Sequence, residues 1–557
     1  MKKIRSVLAA AAAFSLAACA STPSTATGTA KVVTGTADGF GGTITAEVTV
    51  DDSGKITDLV LTGEDETPDI GGKALPELQK AIIAAGTVEG VDGVSGATYT
   101  SKGVFDAVRN ALGTSTPAPT VSAQAVSASG LKQGLAIVST PRLGPGSDDK
   151  DVPVYSFNEV IAYVVSDAND RIVDLEVDIL ELITPNHDGK DDNYLGMWPG
   201  QTYNLDADGD GSVEGTLEET EDSWTDRLSG FRTKRQLGSS YKMNSGTWSE
   251  EMDIYEDWMK GKTAEELQSA FDGEFSDVNG RPLNGKSEKE EDIAKAAKLS
   301  NDQKADIDSL SGATMSLNDG HGDIVGAVIA ALEHAQPLRS DADVASLGLG
   351  INTVPRLGPG SDDKDVPVYS FNVTAAGALY DADGKIVDSK VDVLEIITPN
   401  HDGKDDNYLA GWPGQTYNND SDADGKVDGE LTETEEDWVA RIEQFRSKRS
   451  LGDAYKINSG TWSQEMNLYE DWFVGQTTDE LAQQFAALFS DVNGRPLNGK
   501  SEKEEDVAKA AKLSDDQKAQ IDALSGATMS LQDGHGDILG ALESSYAGAT
   551  ASVIHNN

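Results

Sequence analysis

The sequence predicts an α+β protein built from one small strand-and-helix core that is used three times, twice in enlarged form. Three observations predict it. The stretch "DGVSGATYT" at Asp92–Thr100 returns as "DSLSGATMS" at Asp308–Ser316 and as "DALSGATMS" at Asp522–Ser530. Each copy is preceded by a hairpin pattern, strand-like runs on either side of an Asp/Asn/Gly turn. Each is followed by a helical run: "SKGVFDAVRNAL" from Ser101, "GDIVGAVIAALEHA" from Gly322 and "GDILGALESSYA" from Gly536.

The first element in the chain is an export signal. "MKKIRSVLAAAAAFSLAACAS" carries Lys2, Lys3 and Arg5, then an apolar run too short for a comfortable membrane span, then Leu-Ala-Ala-Cys19. That ending resembles the lipobox of bacterial lipoproteins, which implies that Cys19 is lipidated and becomes the first mature residue. The expected layout is a signal over 1–19 and a Ser/Thr/Ala/Gly-rich tether over 20–32. Cys19 is the sole cysteine, which excludes an intrachain disulfide, a c-type haem attachment, a cysteine-ligated iron–sulfur cluster and a zinc ribbon.

Charge narrows the class further. Across 557 residues, 95 acidic side chains face 45 basic ones, a formal net charge of −50. Such a surface repels nucleic acid and anionic membranes, and suits a highly soluble surface protein or one whose carboxylates bind divalent cations.

Next comes a minimal unit over 33–113, in which "TITAEVTVDDSGKITDLVLTG" alternates polar and apolar residues around an Asp-Ser-Gly turn. A Pro/Ala/Ser-rich linker follows over 114–130. Two long units occupy 131–336 and 347–549, joined by a short linker over 337–346. "PRLGPGSDDKDVPVYSFN" starts at Pro141 and again at Pro355, and "TPNHDGKDDNYL" starts at Thr184 and again at Thr398. Thr314 and Thr528 keep the same separation of 214 positions. Turn glycine and motif threonine lie 44 positions apart in the minimal unit (Gly54 to Thr98) and 144 apart in the last one (Gly384 to Thr528). The long units therefore hold about a hundred inserted residues.

The Ser-Gly-Ala-Thr turn is expected at or near a helix N-terminus, where unpaired N–H groups and the helix dipole favour an anion such as phosphate. Gly96, Gly312 and Gly526 allow close backbone approach. Ser and Thr are also ordinary helix caps, so the residues alone leave capping and phosphate chemistry both open.

Asp-x-x-Ser-Gly-Ala-Thr resembles the flavinylation motif of the FMN-binding domain family. That family includes FMN-carrying subunits of sodium-pumping NADH:quinone oxidoreductase and Rnf complexes, and extracytoplasmic flavin lipoproteins. The resemblance implies three FMN-binding-type α+β domains, one minimal and two enlarged. It also implies an FAD:protein FMN transferase that esterifies FMN to Thr98, Thr314 and Thr528. Asp92, Asp308 and Asp522 would be the motif aspartates, with Ser95, Ser311 and Ser525 beside the attachment turn.

The inserted segments carry further candidates. Asp206, Asp208 and Asp210, with Gly211 and Val213, fit the early positions of an EF-hand loop, as do Asp420, Asp422 and Asp424 with Gly425. Position 12 is Leu217 or Leu431 instead of glutamate. Asn186, Asp188 and Asp192, and Asn400, Asp402 and Asp406, are spaced as in compact calcium loops. Calcium loops and solvated acidic turns both fit these patterns. Trp248, Tyr255 and Trp258, with Trp462, Tyr469 and Trp472, could wall a flavin ring, but their helical spacing favours a core face. His321 and His535 follow the motif in "DGHGD" and could contact flavin or cap the following helix, the structural role being favoured.

No acid, base or nucleophile constellation marks a catalytic site. The expectation is an extracytoplasmic, lipid-anchored, three-flavin carrier. It would take electrons from a quinone- or NADH-linked membrane system and deliver them to extracellular acceptors. The rival readings are a calcium-stabilised surface repeat protein without flavin and a flavin-dependent reductase of a specific small substrate.

Overall fold

The computed structural model describes residues 31–38, 43–51, 54–63, 71–88, 94, 98–112, 126–127, 130–147, 153–183, 196–197, 202–205, 215–218, 221–243, 246–310, 312–357, 370–397, 410–411, 416–419, 429–432, 434–457, 460–524 and 526–552. The chain falls into two compact units, residues 1–120 and 121–557.

In the first unit, β1 (Lys31–Asp38), β2 (Thr43–Val50) and β3 (Ile56–Thr62) form an antiparallel sheet in chain order. The alternation read from the sequence holds: Ile44, Ala46 and Val48 are fully buried, while Thr43 and Glu47 face solvent. Gly54, at φ +83°, closes the turn by donating its N–H to Asp51 O at 2.9 Å. Two helices cover the sheet, α1 (Gly71–Ala85) and α2 (Thr98–Leu112). Leu78 and Ile82 of α1 meet Val104, Ala107, Val108 and Ala111 of α2 in one core. Strand β1 extends the two-stranded hairpin read from the sequence to three.

The second unit contains both long copies. In the first copy, β4 (Lys132–Ser147), β5 (Pro153–Ser166) and β6 (Ile172–Ile183) form an antiparallel meander. In the second copy the corresponding strands come later in the chain, at Ser346–Leu357, Ser370–Tyr380 and Ile386–Ile397. The two sheets pack face to face. Phe157, Ile161, Tyr163 and Leu180 share one core with Phe371, Val373, Ala375 and Leu394. On the outer face of the first sheet lies α3 (Trp248–Met259), with α4 (Ala264–Glu274) in the same core; α5 (Asn301–Ser309) buries Ile307 in a separate small cluster with Leu283 and Leu299, and α6 (Ile324–Glu333) rejoins the main core. The second sheet is covered by α7 (Trp462–Phe473), α8 (Thr478–Leu488), α9 (Asp515–Ala523) and α10 (Ile538–Gly548). Sheets covered on both faces lose polar/apolar alternation: every residue of Ser370–Tyr380 is buried.

Mirrored contacts give the two copies a pseudo-two-fold relation. Phe157 meets Phe445 edge-on at 5.6 Å, and its counterpart Phe371 meets Phe231 edge-on at 5.9 Å. Where the same position faces itself, the copies differ. Tyr163 and Gly377 are equivalent residues, and a Cβ on Gly377 would lie 2.2 Å from the Tyr163 ring. Two tyrosines could not occupy that space.

The segments expected as linkers are partly built into this unit. Val126–Ser127 pairs with Asp343–Val344, and Val344 is buried. Arg339 binds Asp388 at 2.7 Å, Glu470 at 2.5 Å and Asp471 at 2.7 Å. Residues 337–346 therefore act as a clamp on the second copy, not as a free tether. Among the described residues no helix is long and apolar enough to cross a membrane.

Two stability predictions follow from this packing. Gly377→Ala should cost about 1–3 kcal/mol in urea unfolding by overpacking against Tyr163. Gly548→Ala, whose Cβ meets nothing within 4 Å, should stay within about 0.5 kcal/mol of the parent. Equal effects would contradict the face-to-face packing.

Glu159 is fully buried on β5 where the second copy has Val373. Burial pushes its carboxyl up from 4.5 to about 8, against the hydrogen bond from Ser139 at 2.6 Å. Between those values the folded chain keeps a proton that the unfolded chain releases, so this residue's contribution to stability falls as pH rises from about 4.5 to 8. Glu159→Val should therefore be more stabilising at pH 8 than at pH 5, and an equal effect at both would contradict it.

Candidate functional site

In the first unit Thr98 is the first residue of α2, the helix-terminal position expected for the motif. Asp92, Ser95 and Gly96 lie outside the described residues.

The long copies differ from that expectation. Helix α5 ends at Ser309, Gly312 takes φ +109°, and Thr314 stands ten positions before α6 begins at Ile324. The intervening residues form a tight hairpin that pairs Asn318–Asp319 with Gly322–Asp323. Asp323, not the motif threonine, caps α6, accepting from Gly326 N at 2.8 Å. The motif threonine therefore sits on a turn after a helix C-terminus, and its N–H groups are not those of a helix start.

Those N–H groups converge on one carboxylate. Glu251, in the first turn of α3, accepts from Thr314 N at 2.7 Å and from Met315 N at 2.9 Å. The Thr314 hydroxyl lies 3.1 and 3.2 Å from its two oxygens. The second copy repeats the arrangement with Glu465: 2.6 Å to Thr528 N, 2.9 Å to Met529 N, and 3.0 and 3.1 Å to the hydroxyl. Both glutamates are almost fully buried, whereas both threonines are half-exposed. Each hydroxyl thus lies against a buried acceptor, on a residue that is itself half-exposed.

The surrounding core fixes the turn. Tyr255 donates to Met315 O at 2.7 Å and Tyr469 to Met529 O at 2.8 Å. Asn158 donates to Gly320 O at 2.9 Å and Asn372 to Gly534 O at 2.8 Å, tying each hairpin to its sheet. Gly280, at φ +62°, approaches so closely that an added Cβ would lie 2.5 Å from Asn318 O. Trp248, Tyr255 and Trp258 are buried in the core, as are Trp462 and Tyr469, with Trp472 packed partly buried against them. Helical spacing thus correctly favours core over flavin wall.

Other motif residues lie outside this contact set. Asp308 and Asp522 are exposed at the ends of α5 and α9, and Thr314 is held by Glu251 instead of the motif aspartate. Ser311 and Ser525 lie outside the described residues, while Gly312 and Gly526 (φ +109° and +114°) make the turn. His321 and His535 are exposed in the hairpin turns, 3.0 and 3.1 Å from Asp319 and Asp533.

Sequence reasoning did not find Glu251 and Glu465. It also missed Lys234 and Lys448, buried lysines 3.9 and 3.7 Å from Glu181 and Glu395. Burial lowers both ammonium groups to about 7. One signal was present: "TWSEEM" and "TWSQEM" keep the second acidic residue while the first changes from Glu250 to Gln464.

Cys19 and all twelve acidic-loop candidates, from Asn186 to Asp424, lie outside the described residues. Their flanks are strands: Thr202–Leu205 pairs with Gly215–Glu218, so Leu217, at the place of the EF-hand glutamate, is paired with Tyr203. Among the described residues no three His, Cys, Asp or Glu side chains cluster to hold a metal ion.

Comparison with known proteins agrees with the first unit's geometry. Residues 39–113 match the FMN-binding domain family, so the chain carries an FMN-binding domain there, with Thr98 inside it. The chain is also 33% identical over 186 residues to a chlorophenol reductase of Desulfitobacterium hafniense, an alignment covering 32% of this chain. It spans 50% of the length of that relative. An FMN-binding domain and similarity to a reductase point to a flavin-associated redox role.

The donor set of the motif turns suits an anion, and in each long copy the chain's own glutamate takes that place. Two backbone N–H groups and a hydroxyl already gather around an anion in each long copy.

Proposed function

We propose that this chain is an exported, lipid-anchored electron carrier with FMN joined by phosphate ester to Thr98, Thr314 and Thr528. The observation that carries the reading is the pair of identical turns in which a half-exposed threonine hydroxyl lies about 3 Å from a buried carboxylate. The match of residues 39–113 to the FMN-binding domain supports it for the first unit.

Attachment exchanges the Thr Oγ1–H bond for an Oγ1–P bond, with AMP leaving FAD on a partner FMN transferase. Glu251 and Glu465 are the nearest acceptors for the released proton. A carboxyl that has taken up this proton is neutral, which removes the repulsion a second anion beside it would meet. Bound flavin would supply one- and two-electron transfer, while the chain supplies position and a covalent tether. A covalent link suits an extracytoplasmic protein, from which a dissociating cofactor would be lost. Electrons would come from a quinone- or NADH-linked membrane system and leave to extracellular acceptors, with the acidic loops taking calcium. The name of the reductase relative favours a second reading, direct reduction of a small organic substrate.

The test is flavin fluorescence in denaturing gels of the chain produced with and without the transferase. Fluorescence should survive denaturation and fall stepwise with Thr98→Ala, Thr314→Ala and Thr528→Ala. Glu251→Gln and Glu465→Gln should slow labelling of their own threonines by roughly 10²-fold and leave Thr98 labelling unchanged. Undiminished fluorescence in the triple threonine variant would overturn the reading.

A further inference from the structure

One of the breaks in the pseudo-two-fold relation between the long copies opens a cavity. On one side of the axis, copy 1 seals the outer edge of a copy 2 strand, Ser346–Leu357. Glu176 accepts from Leu349 N at 2.9 Å, and Gln236 donates to Ile351 O at 3.0 Å. A carboxylate and an amide thus satisfy the exposed backbone of an edge strand.

The mirror position has lost both groups. Leu135 and Ile137 on β4 are the counterparts of Leu349 and Ile351, while Lys390 and Ser450 stand where Glu176 and Gln236 would be. A lysine has no lone pair to accept the Leu135 N–H, and a serine is two bonds shorter than a glutamine. The Ser450 hydroxyl is moreover turned to Ser447 O at 2.9 Å. These four residues line a cavity of about 450 Å³, walled also by Ile442 and Phe445. That volume falls within the roughly 300–1,000 Å³ of small-molecule sites.

The charge at the mouth differs as well. Lys390 is largely buried, and its ammonium lies 3.8 Å from Glu470, beyond hydrogen-bond reach. Glu470 is already engaged by Arg339, Arg449 and Val391 N. Asp392, also on the lining, accepts from Ser447 Oγ and from Arg449 N. Lys390 therefore offers a cation on this wall, as does Arg446, which donates to the carbonyls of Glu443 and Phe445; of the two, Lys390 is the one that takes the place of Glu176, beside an edge-strand N–H that lacks the acceptor its counterpart has.

We propose that this cavity binds a small organic carboxylic acid with an apolar body. Its carboxylate takes the place that Glu176 fills across the axis, accepting from Leu135 N–H and pairing with Lys390, while its body rests on Ile137, Ile442 and Phe445. The occupied half of the molecule is the template for the ligand of the open half. The site is separate from the motif turns and does not depend on flavin attachment.

The test is calorimetric titration of the full chain with sodium 3-phenylpropionate, and with the neutral 3-phenylpropionamide for comparison. The acid should bind at least about tenfold more tightly than the amide, the loss expected when a charged hydrogen-bonding partner is removed. The double variant Lys390→Glu/Ser450→Gln, which copies the sealed side, should weaken acid binding by about tenfold or more. Lys390→Met, which keeps the bulk and removes the charge, should abolish the preference for acid over amide. Equal binding of acid and amide, binding unchanged in both variants, or no binding of either compound at millimolar concentration would overturn the proposal.

Discussion

The enlarged units depend on a buried carboxylate that reaches from the first turn of one helix to a turn 63 residues away. Glu251 and Glu465 each gather two backbone N–H groups and one hydroxyl. Without the carboxylate, those donors would lose it as an acceptor, at a cost of about 1–3 kcal/mol for each one left unpaired and shielded from water. The carboxylate in turn needs those donors, because an isolated buried charge is far more costly. This mutual need fixes where the aromatic-rich helix sits against the motif. It also sets the hydroxyl of a half-exposed threonine against a buried acceptor. The chemistry proposed for the threonine and the architecture of the insertion are one arrangement.

Duplication explains much of the rest. Two copies that pack face to face must bury both faces of each sheet and must also resolve every position that meets itself near the axis. Tyr163 against Gly377 is one resolution, in which a large side chain fills the space left by the absence of another. Glu159, where the second copy has Val373, is a further difference between the copies, a carboxyl that the interior keeps protonated well above its usual range. Arg339 has no counterpart partner in the first copy, where Lys260 approaches the equivalent Asp174 at 3.3 Å. The second unit is thus a pseudo-symmetric pair whose differences collect where the halves touch.

Much of this was legible in the sequence, for physical reasons that can be named. The hairpins announce themselves through Asp51–Gly54 and Asp381–Gly384, where an aspartate at the start and a glycine with positive φ at the end fix the turn. The core role of Trp248, Met252, Tyr255 and Met259 follows from helical spacing, and all four are buried. The face-to-face packing was not legible. A strand buried on both sides, such as "SFNVTAAGALY", carries no alternation to say what covers it. The helix-terminal placement of the motif held for Thr98 but not for Thr314 and Thr528, because the intervening hairpin is only a few residues long and leaves a weak pattern. Glu251 stayed hidden because it directly follows Glu250 of a capping box, and only the fold separates a capping carboxylate from one directed at a distant turn.

The most direct test of the account is the intact mass of the mature chain produced beside an active FMN transferase. The expected result is three additions of FMN less water, which peptide mapping assigns to Thr98, Thr314 and Thr528. An unmodified mass, with the transferase active on a control protein, would contradict it and leave the motif turns as structural elements closed by Glu251 and Glu465.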